Sequence, residues 1–284
     1  MKIEFYKDNK KDFANDTLDI LRENEVQNAI IIKIAQAYKN GEDKDDWFCA
    51  SVKDVHGGII LSACCTPPFN IVIYETGNKH DGAAVEFLAK ELFNAGYNPP
   101  GVSGEKISAE MFADSYAKIA GKSKRIHMNL NAMQLSEVAK IDCAPGFMRE
   151  IAEEDIYFLP YWEKEFHIEC NEQPWTTLSD AAGSFMYMLN KNRQFVWFDK
   201  TPVSTATFVR ENFDGATISK VYTPPFYRNK NYSTSLMAQL SQNLLDRGYK
   251  YCCLFADADY PASNKVYQKI GYRNVCLYQE IKFE

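Results

Sequence analysis

The chain has 284 residues, 46% of them hydrophobic and 25% charged, a globular composition long enough for one large domain or, the preferred reading, two of ordinary size. Its formal net charge of −6 argues against a nucleic-acid or anionic-membrane partner, since both need a basic surface to displace counterions. No run approaches the roughly 18 to 20 apolar residues of a membrane span, and MKIEFYKDNKKDFAND at the start has charges where a secretory leader has its apolar core, so a cytoplasmic location is expected.

In chain order, residues 12–39 repeat their apolar positions at three and four, which predicts two helical pieces, the second stopped by Gly41. Trp47 to Val52 and Gly58 to Cys65 read as a strand hairpin, and Asn70 to Glu75 as a third strand. A helix is expected over Ala83 to Ala95, ending at Gly96, and another over Ala109 to Ala120, followed by a strand from Arg125 to Leu135. Ser136 to Gly146 has little period and ends in Pro145-Gly146, so the linker between domains is placed there.

From Phe147 the pattern restarts with a short strand to Ile151. Glu153-Glu154-Asp155 then open a helix reaching about Phe166, where acidic residues suit the positive end of the helix dipole. A helix over Ser179 to Asn190, a hairpin of Gln194–Asp199 with Val203–Arg210, and a strand from Ala216 to Val221 follow. The two halves read as a diverged repeat: each has a hairpin, the word TPPF, a helix ending in Gly-Tyr, and Tyr-x-Lys-Ile before a glycine (Tyr116 and Tyr267).

Eight cysteines (Cys49, Cys64, Cys65, Cys143, Cys170, Cys252, Cys253, Cys276) form no CxxC pair and lie mostly in apolar, strand-like runs. Buried reduced thiols are therefore expected, not a zinc site or a disulfide framework. His56, His80, His127 and His167 stand singly, outside any HExxH or Cys/His cluster, and no metal is expected. A GxSxG elbow, a P-loop and a GxGxxG turn are all missing from the sequence.

The chemistry concentrates in VYTPPFYRNKNYSTSLMAQLSQNLLDRGYKYCCLFADADYPASNKVYQKIGY, residues 221–272. A strand runs into a basic turn, and a helix beginning near Ser233 would point its first N–H groups at whatever lies before it, as anion-binding helix ends do. By itself the turn is equally a solvated basic loop. Its company decides: Leu236, Leu240, Leu244 and Leu245 form one helix face, Tyr251 to Ala256 is a short buried strand, and Pro261-Ala262-Ser263-Asn264 open a helix bearing Tyr267 before a closing strand, Val275 to Phe283.

Segment 221–234 resembles the acyl-CoA motif of the GNAT superfamily of N-acetyltransferases: Arg or Gln, two residues, Gly, one residue, then Gly or Ala. Here it reads Arg228-Asn229-Lys230-Asn231-Tyr232-Ser233, with Asn231 at the glycine position and Ser233 at the small one. Asparagine is the residue after glycine that best tolerates the left-handed region. The order of elements to the end of the chain and PASNKVYQKIGY are similar to the second half of that fold.

The resemblance implies an α/β chain of two tandem GNAT-like domains, each a mixed, mostly antiparallel sheet flanked by helices. A degenerate domain would span 1–140 and an acetyltransferase domain 146–284. Val221, Tyr222 and Thr223 would pair with the pantetheine arm of acetyl-CoA, residues 228–233 would hold its pyrophosphate, and Asn264 would contact it near the last helix. Tyr267 matches the general acid that protonates the departing thiolate.

The expected acceptor is the primary amine of a small molecule or peptide. Glu165, Glu169 and Asp257 are candidate bases, and Tyr161, Trp162, Trp175, Tyr187 and Trp197 candidate linings of an acceptor pocket, with core packing or solvated charge the plainer role for each. The N-terminal domain, with ETGNKHDG in place of the basic turn, is expected to shape the acceptor cleft or the domain interface. The competing reading is a non-catalytic binding protein that keeps the fold with a weakened CoA site. The acceptor and the oligomeric state are not written in the sequence.

Overall fold

Most elements begin and end where the period of the apolar residues changes. Strand β1 (Lys2–Phe5) precedes α1 (Lys10–Arg22) and α2 (Glu25–Asn40), and α2 ends at Gly41 with φ 73°. Strands β2 (Phe48–Lys53), β3 (Ile59–Cys65) and β4 (Ile71–Glu75) are followed by α3 (Ala83–Asn94), β5 (Gly101–Glu105), α4 (Lys106–Ala120) and β6 (Lys124–Leu135). Next come β7 (Phe147–Glu150), α5 (Leu159–Glu169), α6 (Leu178–Lys191), β8 (Gln194–Asp199), β9 (Thr201–Glu211) and β10 (Gly215–Tyr222). Helix α7 (Tyr232–Asp246), β11 (Tyr251–Asp257), α8 (Pro261–Ile270) and β12 (Arg273–Phe283) complete the chain. This computed structural model describes residues 1–284 apart from 8, 43, 45, 79–81 and 171–175.

The chain divides into two compact units: Met1–Ala132 with Ala256–Tyr260 and Asn274–Glu284, and Met133–Phe255 with Pro261–Arg273. In the first, the strand order is β1-β2-β3-β4-β5-β12-β6. Its pairs β1–β2, β2–β3, β3–β4 and β5–β12 are antiparallel, and β4–β5 is parallel. Val85, Leu88 and Leu92 of α3 and Phe112 and Tyr116 of α4 pack with Leu61, Ile71 and Ile281 in its core. In the second, the order is β11-β10-β9-β8-β7, with only β10–β11 parallel. Ile151, Leu159, Phe185, Met188 and Val196 form an apolar cluster there, backed by Trp162. Among the described residues no helix is long and apolar enough to cross a membrane.

Three local features depart from the expected elements. Strands β1 and β5 are additions, and β5, with sequence GVSGE, shows why. A Cβ at Gly101 would come within 2.2 Å of the Ile281 carbonyl, so close strand approach, not β propensity, selects glycine. The helix expected from Glu153 is broken: a 3-10 turn spans Glu153–Tyr157, and α5 starts at Leu159 with Pro160 in its first turn. Asp155, expected to serve the helix dipole, is buried and accepts from Arg149 Nη1 at 2.7 Å and Nη2 at 2.8 Å. The closing strand β12 lies against β5, with Tyr278 opposite Glu105 and Lys282 opposite Gly101.

Five cysteines (Cys49, Cys64, Cys65, Cys252 and Cys253) are buried and all eight are reduced, while Cys143 is exposed and Cys170 and Cys276 are half-buried. The two TPPF words fold differently: the first forms a turn between β3 and β4, and the second enters a 3-10 helix at Pro225–Tyr227.

Candidate active site

In the second unit, β10 and β11 pair only at Gly215↔Tyr251, Ala216↔Cys252 and Thr217↔Cys253. Beyond Thr217, β10 stays joined to β9 through Tyr222↔Thr205, but its other edge leaves β11. Two parallel strands that start together and then part open a wedge with unpaired strand edge on its wall. An extended chain carrying amides can add to such an edge. Within the parting segment β10 is bulged: its register shifts between Ser219 and Tyr222, and Lys220 has φ 52°.

Val221 and Tyr222 end this strand, and Thr223 lies just past it, its hydroxyl 2.8 Å from Ser204 Oγ. The turn then passes through two left-handed residues, Asn229 at φ 63° and Asn231 at φ 62°, before α7 begins at Tyr232. Asparagine therefore occupies the conformation that glycine would fill. Asn231 gives no side-chain cap, so the N–H groups of the first turn, including those of Tyr232 and Ser233, are left to whatever lies before the helix. The Asn231 carbonyl accepts from the Ser235 N–H at 3.0 Å and from Ser235 Oγ at 2.9 Å, which fixes the turn to the helix. Lys230 Nζ stands 5.0 Å from the centre of the exposed Phe226 ring, and the Tyr232 hydroxyl donates to Asp199 at 2.7 Å.

Asn264 and Tyr267 both face inward from α8. The phenol of Tyr267 is pushed above its ordinary range by burial, and the charge of Cys170 adds to the shift. Its ring packs edge-on to Tyr272 at 6.0 Å. The first unit carries the control: Tyr116, in the matching Tyr-x-Lys-Ile word, donates its hydroxyl to the Tyr97 carbonyl at 2.6 Å, as a packed core tyrosine does. Tyr272 is likewise satisfied by Ser241 Oγ at 2.9 Å. The hydroxyl of Tyr267 makes no hydrogen bond among the described residues.

Helix α5 supplies carboxylates to β10. Glu169 receives two hydrogen bonds from Arg228 Nη2, at 2.9 and 2.7 Å, and one from the Tyr222 hydroxyl at 3.3 Å. Burial, with Glu169 beside it, pushes the Tyr222 phenol up to about 12. Glu163, which the sequence reading passed over, is buried and accepts from Lys220 Nζ at 2.5 Å, with His167 Nε2 at 3.7 Å. Burial pushes its carboxyl up, but His167 and Lys220 outweigh that and hold it below the usual range. Its signal was available, since Glu163 is four residues from both the buried Leu159 and the buried His167 on one helix face.

The remaining candidates separate. Glu165 is exposed, and Asp257, in the first unit, accepts the Asp259 N–H at 2.9 Å. Trp197 is fully buried, its indole donating to the Pro145 carbonyl at 2.9 Å, so it belongs to the core. Trp162 packs on the apolar cluster and 6.3 Å from the Tyr222 ring, Tyr161 and Tyr187 are exposed, and Trp175 lies outside the described residues.

The first unit has a matching parallel pair, β4–β5, joined at Ile71↔Val102 and Val72↔Ser103. This ladder is shorter still, but the backbones remain close one residue past its last pair, where a Cβ at Gly104 would come within 3.0 Å of the Ile73 carbonyl. Glu75 accepts from Ser108 Oγ at 2.9 Å at the start of α4, so a carboxylate occupies the end of that strand. Of its ETGNKHDG turn, residues 79–81 lie outside the described ones. Among the described residues no group of three or more His, Cys, Asp or Glu is arranged to hold a metal.

Residues 150–272 match the model of the acetyltransferase (GNAT) family. No curated protein matches the chain in sequence. Among solved structures, a GCN5-related N-acetyltransferase from Sphaerobacter thermophilus superposes with TM-score 0.65 at 13% identity, over 99% of this chain and 95% of that one. A GNAT-family acetyltransferase from Colwellia psychrerythraea gives TM-score 0.59 at 10% identity, over 100% and 99%. A tandem GNAT protein from the clavulanic acid biosynthesis pathway gives 0.55 at 9%, over 100% and 98%. The likeness in fold spans the whole chain, including the half that the family model leaves unmatched. The chain thus has the fold of tandem GNAT proteins, and its residues 150–272 are the part that matches the GNAT acetyltransferase family in sequence.

Proposed function

We propose that this domain transfers an acetyl group from acetyl-CoA to the primary amine of a small-molecule or peptide acceptor, by direct attack within a ternary complex. The parting of β10 from β11 after Thr217 is the observation that carries this reading, because it leaves a strand edge, Ile218 to Tyr222, for an amide-bearing arm. Acetyl-CoA supplies an activated carbonyl and a thiolate leaving group. Val221, Tyr222 and Thr223 would orient the pantetheine arm, and the turn 228–233 with the open start of α7 would hold the pyrophosphate. Left-handed Asn229 and Asn231 support that fit, as does Arg228, whose Nη1 has no partner among the described residues.

Asn264 would contact the cosubstrate from α8, and Tyr267, its hydroxyl uncommitted and its proton held tightly by burial, would donate to the departing sulfur. Glu169, which touches Tyr222, is the candidate to receive the proton that the amine sheds. Most of the rate would come from holding amine and thioester together. Calorimetry with acetyl-CoA tests the reading, and no measurable binding to the purified chain would sink it. A free-thiol assay against amines, polyamines, aminoglycosides and peptide N-termini then finds the acceptor. Binding without thiol release from any of them would favour the non-catalytic alternative.

A further inference from the structure

We propose that Lys220 is a positioning residue, held by Glu163 and Ser184, that keeps the β10 bulge in the shape which opens the wedge; the proposal rests on the acetyl-CoA reading of that wedge. Lys220 has φ 52°, a conformation that costs any residue with a Cβ and is least costly for glycine and asparagine. Among the described non-glycine residues with positive φ, three are asparagines and Lys200 sits in the tight turn between β8 and β9. Lys220 stands inside a strand, so something must hold it there.

The side chain provides the hold. Its Nζ donates to Glu163 Oε1 at 2.5 Å and to Ser184 Oγ at 3.1 Å, one partner on α5 and the other on α6. Glu163 is 8% exposed, so the ion pair is shielded from water on the carboxylate side, and loss of the ammonium would leave a buried carboxylate with His167 and the Ser184 hydroxyl but no lysine beside it. The place matters as much as the strength. Pairing with β11 ends at Thr217, the register shift falls between Ser219 and Tyr222, and the strand then delivers Val221 to Thr223. One extra residue at this point turns the strand and increases its twist. Two helices thus grip the residue at which the wedge wall bends.

Backbone shape and side-chain charge are separated by three variants, each first shown by a thermal melt to unfold cooperatively. Lys220→Met keeps the stem and removes the grip, Glu163→Gln removes the partner's charge, and Lys220→Gly removes the grip while making positive φ easy. Acetyl-CoA affinity by calorimetry should fall about ten-fold or more in Lys220→Met and Glu163→Gln, and recover to within about three-fold of wild type in Lys220→Gly. Rescue by glycine is a result that simple loss of an ion pair would not give. Wild-type affinity in Lys220→Met, or a glycine variant as weak as the methionine one, overturns the proposal. If the wild-type chain binds no acetyl-CoA, the acetyltransferase reading fails separately. Hydrogen exchange at Ser219–Tyr222 then decides: faster exchange in Lys220→Met, restored in Lys220→Gly, supports the grip, and unchanged exchange in Lys220→Met overturns it.

Discussion

Arg228 and Glu169 bind each other: one guanidinium nitrogen of the turn donates to both carboxylate oxygens at the end of α5. Nε of the same arginine donates to the Thr223 carbonyl at 2.8 Å, so the guanidinium is tied to the end of β10 as well. A cofactor phosphate arriving at this turn would meet a cation already half neutralised. Both side chains are partly exposed, at 35% and 39%, and solvent keeps such a pair weak. Glu169→Gln keeps an oxygen for Arg228 and removes the opposing charge. It should tighten acetyl-CoA binding by about two- to five-fold at low salt, with the gain shrinking at high salt. Weaker binding would mean that the carboxylate orients Arg228 instead of opposing the phosphate.

Tyr267→Phe separates catalysis from binding. Its hydroxyl is uncommitted, so its removal breaks no internal hydrogen bond, and acetyl-CoA affinity should stay within about two-fold. If the phenol protonates the leaving thiolate, kcat should drop about 100-fold or more. Because burial raises its pKa above the ordinary phenol range, the proton stays in place through neutral and mildly alkaline pH. The wild-type kcat profile should then show no falling limb from this group below about pH 10. Loss of affinity with kcat preserved would reassign Tyr267 to structure.

Local features of the site were legible from the sequence because they depend on residue type at close range. Asn231 was expected to take the left-handed conformation, and does; the buried strand before α8 and the Tyr267 helix lie where their apolar period placed them. Long-range features were not legible. That β12 lies against β5 depends on which free edge a strand meets, and no residue within Val275–Phe283 encodes the partner. The parting of β10 from β11 is a sheet property of the same kind. Glu163 and Lys220 were overlooked because they are 57 residues apart, and each by itself reads as solvated charge. Strand β5 escaped because its two glycines answer to a neighbour's carbonyls, not to β propensity.

Alkaline pH should unfold the protein by a route that these tyrosines set. Burial raises the phenols of Tyr6, Tyr267 and Tyr272 above their unfolded value of about 10, with Asp16 adding to the shift at Tyr6. The folded state holds these protons more tightly than the unfolded chain, so their contribution is complete below pH 10 and is lost as pH rises towards the folded values. The thermal midpoint should decline above about pH 10, with tyrosinate absorbance appearing together with unfolding. Tyr267→Phe should flatten that decline. Tyrosinate forming well before unfolding would show that these phenols are open to solvent.

The turn itself can be tested at Asn231. Its φ of 62° costs a residue with a Cβ, and its carbonyl must stay aimed at Ser235 to start α7. Glycine removes the conformational cost and leaves the carbonyl in place, while a β-branched residue maximises the cost. Asn231→Gly should therefore keep or slightly raise stability, and Asn231→Val should lose about 1–2 kcal/mol by denaturant titration. Acetyl-CoA binding should follow the same order if the turn cradles phosphate, because glycine lets the phosphate come closer to the backbone and valine pulls the turn out of shape. Unchanged affinity in both variants, alongside the expected stability difference, would place the pyrophosphate elsewhere and leave the turn a purely structural cap on α7.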